Sequence, residues 1–438
     1  MSVHLKSLFA RELWAKIHAY LALAAGLPFV VLGLSGSLAV YREELDELLN
    51  PHLTVENPPG EYLPLDRIMA AVQAAHPRRY APWTLEMPRS PASMITAWYQ
   101  KPEETADRLY APLMVSVNPY TGQVVATRFW GETASTWIAD FHTQLLQDRA
   151  SWNVVGALGL LLMISAASGL YAWWPGTARI RQTFAVRHDA GMVRLAFDLH
   201  RGIGFIGAAW LLLIAFTGFN LAFPDLLEGL TASSGMSHGN SGPDVHSTAI
   251  PNDRPVSLAE AVLVARGAFR HAEVRRITQP AGETGSYRVN LRQGTEINQR
   301  HPFTTVWVDR WSGQILEVRN PAQFTKGESL MAWLWPLHTG EAYGTTGRLL
   351  WFFAGFIPLL LYVSGMMVWM NRRGWLADRQ VNLAPLRDRL RTGIDRGIYW
   401  VMERSRRIQP LVLQAATRAT RWIRCGMKTL RETLARAR

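Results

Sequence analysis

The chain has very little cysteine and, for its length, little charge. Its 438 residues include one cysteine, Cys425, which excludes a disulfide framework, a cysteine-rich zinc site and a cysteine-ligated iron–sulfur cluster. Charged residues make up 18% of the chain and apolar residues 48%, a balance that excludes an intrinsically disordered protein. The mean hydropathy of −0.01 resembles that of a soluble protein, but it averages very different segments.

Acidic residues are also few, 34 against 46 basic ones, so that the net charge is +12. Residues 372–438 alone carry a net charge of +12, and the rest of the chain is neutral on balance. Arginines alternate with apolar clusters in this tail, which predicts a basic amphipathic helix on an anionic lipid surface. No nucleic-acid-binding motif accompanies the charge, and we expect no nucleic-acid partner.

Long apolar windows without charge are present in four places, at residues 19–40, 150–178, 202–224 and 349–371. Each is long enough to cross the hydrocarbon core of a bilayer, which takes about 20 residues of helix. The first window follows three basic residues as in a signal peptide. It is longer than the usual apolar region of about 7–15 residues and lacks a cleavage site, which predicts an uncleaved anchor.

Charge distribution predicts the topology. The segments between and beyond the spans carry net charges of +2, −5, +3, −1 and +12 in chain order. By the positive-inside rule both termini are then cytoplasmic and both long loops extracytoplasmic. The predicted organisation is as follows: N-terminus and first span 1–41, extracytoplasmic domain 42–149, second span 150–178, cytoplasmic loop 179–201, third span 202–224, second extracytoplasmic domain 225–347, fourth span 348–371 and tail 372–438.

An internal repeat relates the two halves. Each span contains a Ser/Thr-Gly pair: Ser35-Gly36, Ser168-Gly169, Thr217-Gly218 and Ser364-Gly365. A histidine precedes each pair by 18, 27, 18 and 27 residues, counted to the glycine. Residues 115–128 and 306–319 align without a gap and predict matching β-hairpins, each preceded by a capped helix. We therefore predict a membrane α+β protein with four transmembrane helices in two tandem repeats, each with an extracytoplasmic α+β domain.

The four repeated histidines are the candidate functional residues. Topology sorts them into two pairs, His18 with His200 and His142 with His338. A single interfacial histidine usually marks only a membrane boundary, but four at equivalent positions indicate a function. No carboxylate or thiol recurs with them, so tetrahedral zinc fits poorly, whereas haem iron takes two axial imidazoles. The glycine pattern at residues 202–207 lies inside a span and is not a dinucleotide site.

The sequence resembles a known family. The segments WAKIHAYLALAAGLPFVVLGLSGSLAVYREELD, FDLHRGIGF, GLYAWWPG and PLHTGEAYGTTGRLLWFFAGF are similar to those of the PepSY-associated transmembrane proteins, and the loop hairpins are similar to PepSY domains. The resemblance spans about residues 1–375. It implies a protein of the bacterial inner membrane with two haems b, whose axial ligands are His18, His200, His142 and His338.

The resemblance also implies an activity, the reduction of ferric siderophores or other ferric chelates on the periplasmic face. We expect the chelate to dock near His338, Glu341 and Tyr343, and the electrons to come from an unknown cytoplasmic donor, a flavoprotein or quinol. Two alternatives stay open. One is a dihaem relay to another periplasmic acceptor, and the other is a non-enzymatic PepSY module that binds a partner. The absence of a C-x-x-C-H motif excludes the usual covalent haem attachment.

Overall fold

A computed structural model describes residues 10–376 and Arg396, apart from residues 57, 59, 178, 179, 181–183, 188–190, 234, 237–241 and 249–253. Nearly all of the tail, where an amphipathic helix is predicted, lies outside these residues, as do seven residues of the predicted loop 179–201. The end of that loop is helical, because a helix begins at Met192 and continues through the predicted third span. The chain forms two compact units. The larger comprises Met1–Ala185 and Phe197–Trp369, and the smaller Val186–Ala196 and Met370–Arg438.

Helices and strands follow one another in the same order in both halves. The first half contains α1 (Arg11–Val40), α2 (Arg42–Leu49), α3 (Leu65–Ala75), β1 (Trp83–Glu86), β2 (Ile95–Tyr99), β3 (Leu113–Val117), β4 (Val124–Phe129), α4 (Ala134–Gln144) and α5 (Arg149–Trp173). The second half contains α6 (Met192–Ala222), α7 (Pro224–Thr231), α8 (Leu258–Ala268), β5 (Glu273–Thr278), β6 (Tyr287–Arg292), β7 (Thr305–Val308), β8 (Ile315–Arg319), α9 (Lys326–Thr339), α10 (Gly344–Ala354) and α11 (Ile357–Arg372).

Four helical segments of the described chain are long and apolar enough to cross a membrane: Arg11–Val40, Arg149–Trp173, Met192–Ala222 and Glu341–Arg372. The second helix ends at Trp173, short of the predicted residue 178, because Pro175 follows and a residue before proline disfavours helical backbone. The fourth is interrupted between α10 and α11, where Pro358 has no N–H to donate to the preceding turn.

One antiparallel sheet contains all the strands of the described residues, in the order β4-β3-β2-β1-β5-β6-β7-β8. Each half contributes a four-stranded meander, and the predicted hairpins β3–β4 and β7–β8 are confirmed. The two domains expected for the two halves are thus joined at β1 and β5. Their pairing satisfies backbone groups that would otherwise be exposed at two sheet edges.

The core lies on one face of this sheet. Leu85, Ile277 and Val289 are fully buried there, and α3 and α8 cover them with residues of both halves. The polar cap predicted for each helix is present only in α8, where Ser257 and Glu260 form a capping box; α3 starts at Pro64 without a side-chain cap. Because side chains alternate along a strand, the opposite face carries polar residues between these apolar ones.

An ion pair joins the two halves on this polar face. Arg276 of β5 lies opposite Glu86 of β1, with 3.1 Å between Nη2 and Oε1, and the Trp98 indole donates to the other carboxylate oxygen. Burial by itself raises the pKa of Glu86, but the positive charges of Arg276 and Arg89 outweigh it and hold this pKa below its ordinary value of 4.5.

This pair predicts a pH-dependent stability. A carboxyl with a lowered pKa stabilises the fold above pH 4.5, and that stability is lost as the pH falls through the lower folded-state value. Glu86→Gln should therefore lower the free energy of unfolding by about 1–3 kcal/mol at pH 7, and by much less near pH 3. Thermal unfolding across this range, with the exposed Glu317→Gln as control, measures the difference. Parallel pH profiles for wild type and Glu86→Gln would contradict the prediction.

Candidate haem-binding histidine pairs

The four predicted histidines lie in two pairs, each with one residue from each half of the chain. His18 of α1 and His200 of α6 have ring centres 6.2 Å apart, with 71° between the ring planes. His142 of α4 and His338 of α9 have ring centres that are also 6.2 Å apart, with 38° between the planes. We call His142 and His338 the sheet-side pair, because their helices adjoin the strands, and His18 and His200 the far-side pair.

Each imidazole packs on the glycine of a Ser/Thr-Gly pair in another helix. A Cβ added to Gly36 would lie 2.8 Å from Cε1 of His142, and one added to Gly169 would lie 2.8 Å from Cε1 of His18. At Gly218 the corresponding distance to His338 is 2.9 Å, and at Gly365 the distance to His200 is 3.1 Å. Side-chain carbons rarely approach so closely, so glycine lets each ring lie directly on the helix backbone.

The Ser/Thr of each pair takes part in orienting the same imidazole. The hydroxyls of Ser35 and Thr217 donate within their own helices, so they accept from Nδ1 of His142 at 3.1 Å and of His338 at 3.0 Å. His200 Nδ1 lies 3.0 Å from both the Ser364 hydroxyl and the Leu361 carbonyl oxygen.

His18 follows the same scheme through a backbone oxygen. Its Nδ1 donates to the Ser165 carbonyl oxygen at 2.9 Å, and the Ser168 hydroxyl donates to that same oxygen. Since a proton on Nδ1 leaves the Nε2 lone pair free, these bonds hold the imidazoles in the tautomer that binds a metal through Nε2. Sequence analysis identified the Ser/Thr-Gly pairs but missed this role. The repetition of the same two spacings from histidine to glycine, 18 and 27 residues, in both halves was the signal that linked them.

Both pairs fit haem iron as axial ligands. A metal–imidazole bond is about 2 Å long and the nitrogen lies about 1 Å from the ring centre, so two imidazoles on one metal have centres about 6 Å apart. Both pairs have this separation. Within the described residues, no cluster of three or more His, Cys, Asp or Glu side chains is arranged to hold a metal. Two donors suffice when a macrocycle supplies the remaining ligands.

The pairs lie near opposite ends of the helices. His18 and Gly36 both lie on α1, 18 residues and therefore about 27 Å apart along the helix. Gly36 contacts the ring of His142, so the two pairs are separated by a similar distance. This spacing would place one metal centre near each face of a bilayer, because the hydrocarbon core is about 30 Å thick.

The two residues predicted near the substrate have different surroundings. Glu341 is buried, and its carboxylate is 2.7 Å from Nε of Arg300, itself only 6% exposed. Arg300 and Arg348 both donate to the Val40 carbonyl at the end of α1. Tyr343 is 60% exposed and its ring lies 6.0 Å from that of Trp351. Of the two, Tyr343 is therefore the one exposed at the surface of the chain, and Glu341 links the start of the fourth span to the end of α1 through Arg300.

A family model matches most of the chain, and this match identifies its family. No curated protein matches the chain. The family model described as the PepSY-associated TM region matches residues 15–372, most of the chain and all four apolar helices. This agrees with the family that the motifs resemble, and the chain therefore belongs to the PepSY-associated transmembrane family.

Proposed function

We propose that the protein is a dihaem electron carrier of the bacterial inner membrane, which reduces a ferric siderophore or other ferric chelate on the periplasmic side. The observation that carries the proposal is the recurrence of one arrangement four times: an imidazole on a glycine, with Nδ1 held by a neighbouring oxygen. We infer that it arose by tandem repetition, because order and strand register match in both halves. Charge distribution supports cytoplasmic termini.

His18 and His200 would hold one haem b, and His142 and His338 the other. When bound, such a haem supplies a reversible one-electron change of its iron. The chain contributes position and orientation. The glycines bring each imidazole against a helix, and the hydroxyl and carbonyl oxygens keep Nδ1 protonated, so that Nε2 would be free to bind the metal.

Hard oxygen ligands hold Fe(III) far better than Fe(II), so the transfer of one electron to the chelate weakens the complex and frees the metal. That step needs no acid or base from the protein. We place the electron donor, a flavoprotein or a quinol, on the cytoplasmic side near His18 and His200.

Anaerobic spectroscopy tests this function. We expect the purified chain to show Soret and α bands, to be reduced chemically, and to be reoxidised when a ferric hydroxamate or catecholate siderophore is added. The same siderophore loaded with gallium, which is not reduced, is the matched control. A reduced haem protein that no ferric chelate reoxidises would instead indicate a relay to another periplasmic acceptor. A chain without haem bands would indicate a non-enzymatic PepSY module.

A further inference from the structure

A polar cavity of about 120 Å³ lies beside the sheet-side pair. The polar face of β5 and β6 forms one wall, and residues of α9 and the end of α6 form the other. Trp335, one of its lining residues, precedes His338 by one helical turn, about 5 Å. The described lining includes the guanidinium groups of Arg276, Arg288 and Arg319 and contains no Asp or Glu.

One ion pair and two hydrogen bonds hold two arginines of this cavity in place. Arg276 pairs with Glu86 and donates to Nδ1 of His301 at 3.0 Å. Because arginine has no acceptor, His301 Nδ1 must be unprotonated and the imidazole is neutral. Arg319 donates to the Gly235 carbonyl at 2.9 Å.

Arg288 adds a second guanidinium close to Arg276. Burial first, and then the positive charge of Arg276, lower the pKa of Arg288. Two cations near each other in a partly closed space repel, and an anion between them would relieve that repulsion.

The corresponding face of the first half carries a larger side chain at the position of Asn290. Trp98 pairs with Thr84 and Met114 across β1 and β3, just as Asn290 pairs with Arg276 and Thr305 across β5 and β7. The Trp98 ring lies 6.1 Å from that of Trp130, which is itself 9% exposed. The large indole of Trp98 in the first half therefore occupies the position that the short amide of Asn290 occupies in the second half, at the border of the cavity.

The first half also neutralises its arginine differently. Arg128, which aligns with Arg319, pairs with the carboxylate of Asp46 at 3.1 Å. In the second half Arg319 instead donates to a backbone carbonyl and is near the carboxylates of Glu328 and Glu228. The difference in charge comes from Arg276 and Arg288, which strand register places where the first half has Thr84 and Thr96. Size and charge together distinguish this half as the one with room for an anion.

We propose that the cavity bordered by Arg276, Arg288 and Asn290 is a carboxylate-binding site next to the sheet-side pair. Guanidinium groups bind carboxylates through paired, charge-assisted hydrogen bonds, and the neutral amide and imidazole groups add donors without adding charge. The volume admits a carboxylate arm and not a whole siderophore. Two sources supply this chemistry: an acid arm of a soluble ligand such as citrate, or a propionate of the sheet-side haem. The second source rests on the proposed function, and the first does not.

Citrate is the probe for this site. The full chain in detergent, with its haem content measured, is titrated with citrate by calorimetry. Asn290→Trp fills the cavity with the residue found in the first half, and Arg288→Gln removes a charge with little change of volume. Arg292→Gln is the matched control, because Arg292 lies on the same strand but pairs with Glu273 outside the cavity. Melting temperatures verify that each variant is folded.

Each source has its own result. For a soluble ligand, citrate binds the wild type and the Arg292→Gln variant, and at least tenfold more weakly the other two variants. For a haem propionate, citrate binds only haem-depleted protein, and both cavity variants lower the haem content or shift the reduction midpoint of the sheet-side haem. The site is overturned if citrate binds neither form and haem properties are the same in all variants.

The same data separate this site from the proposed function. Citrate binding by a chain that never carries haem would support the site and refute dihaem electron transfer. Normal reoxidation by a ferric siderophore in Asn290→Trp and Arg288→Gln, without citrate binding or a change in haem properties in any form, would refute the site and leave the function standing.

Discussion

Replacing His142 or His338 with alanine should reduce the haem content from about two per chain to about one, or convert one haem from a low-spin to a high-spin form. The reason is that, in the proposed function, each haem iron would need both imidazoles of a pair, and these two histidines form the sheet-side pair. His18→Ala and His200→Ala should affect the other haem to a similar extent. Pyridine haemochrome assay and electron paramagnetic resonance measure content and spin state.

Double variants test the pairing itself. His142→Ala with His338→Ala removes two members of one pair and should leave one low-spin haem. His18→Ala with His142→Ala removes one member of each pair and should leave none. The control is His246→Ala, since this side chain is 62% exposed and its Nε2 lies 3.3 Å from Asp244. Equal losses in the two double variants would refute the pairing, and full low-spin content in every variant would refute the ligands.

Replacing Gly36 with a larger residue should disturb the haem proposed for the sheet-side pair without replacing either of its histidines. The three atoms nearest an added Cβ all belong to the His142 ring, the closest at 2.8 Å, so the imidazole must move. Gly36→Ala should weaken the low-spin signal of the sheet-side haem, and Gly36→Val should abolish most of it. Overpacking of this kind also costs about 1–3 kcal/mol of stability. Absorption spectra and thermal unfolding measure the two effects.

A control variant and a double-mutant cycle distinguish an effect through the contact between Gly36 and His142 from an effect on ordinary helix packing. Gly202→Ala is the matched control, since a Cβ there has no neighbour within 4 Å. In a His142→Ala background, Gly36→Val should have little further effect on haem or stability, because the ring that it displaces is absent. An undiminished effect of Gly36→Val in that background would show that Gly36 acts through other contacts.

Much of the spanning part of the fold could be predicted from composition alone. Apolar windows identify transmembrane helices because the bilayer requires about 20 apolar residues and internal backbone bonding. Helix ends were less predictable, because Pro175 and Pro358 stop or interrupt helices within windows that are apolar throughout. The hairpins followed from alternation around turn residues, which is a local property.

Contacts between segments that are far apart in the sequence could not be predicted from local sequence patterns. That β1 pairs with β5, so that two expected domains share a sheet, depends on which edges meet in space. Arg300 reaches the buried Glu341 from a loop 41 positions earlier, which no local pattern signals. The contrast between Trp98 and Asn290 likewise has meaning only once strand register places them at corresponding positions.

The amino-acid sequence by itself determined the four spans, the histidines and the Ser/Thr-Gly pairs, because hydropathy, residue type and spacing are properties of the linear sequence. Topology along the chain also predicted which histidines pair. Tertiary structure alone decided that each glycine contacts the imidazole of another helix and that the rings of each pair are 6.2 Å apart. It also decided where a cationic cavity remains open beside one pair. The physical reason is that ligand geometry depends on helix packing, to which residues far apart in the sequence contribute jointly.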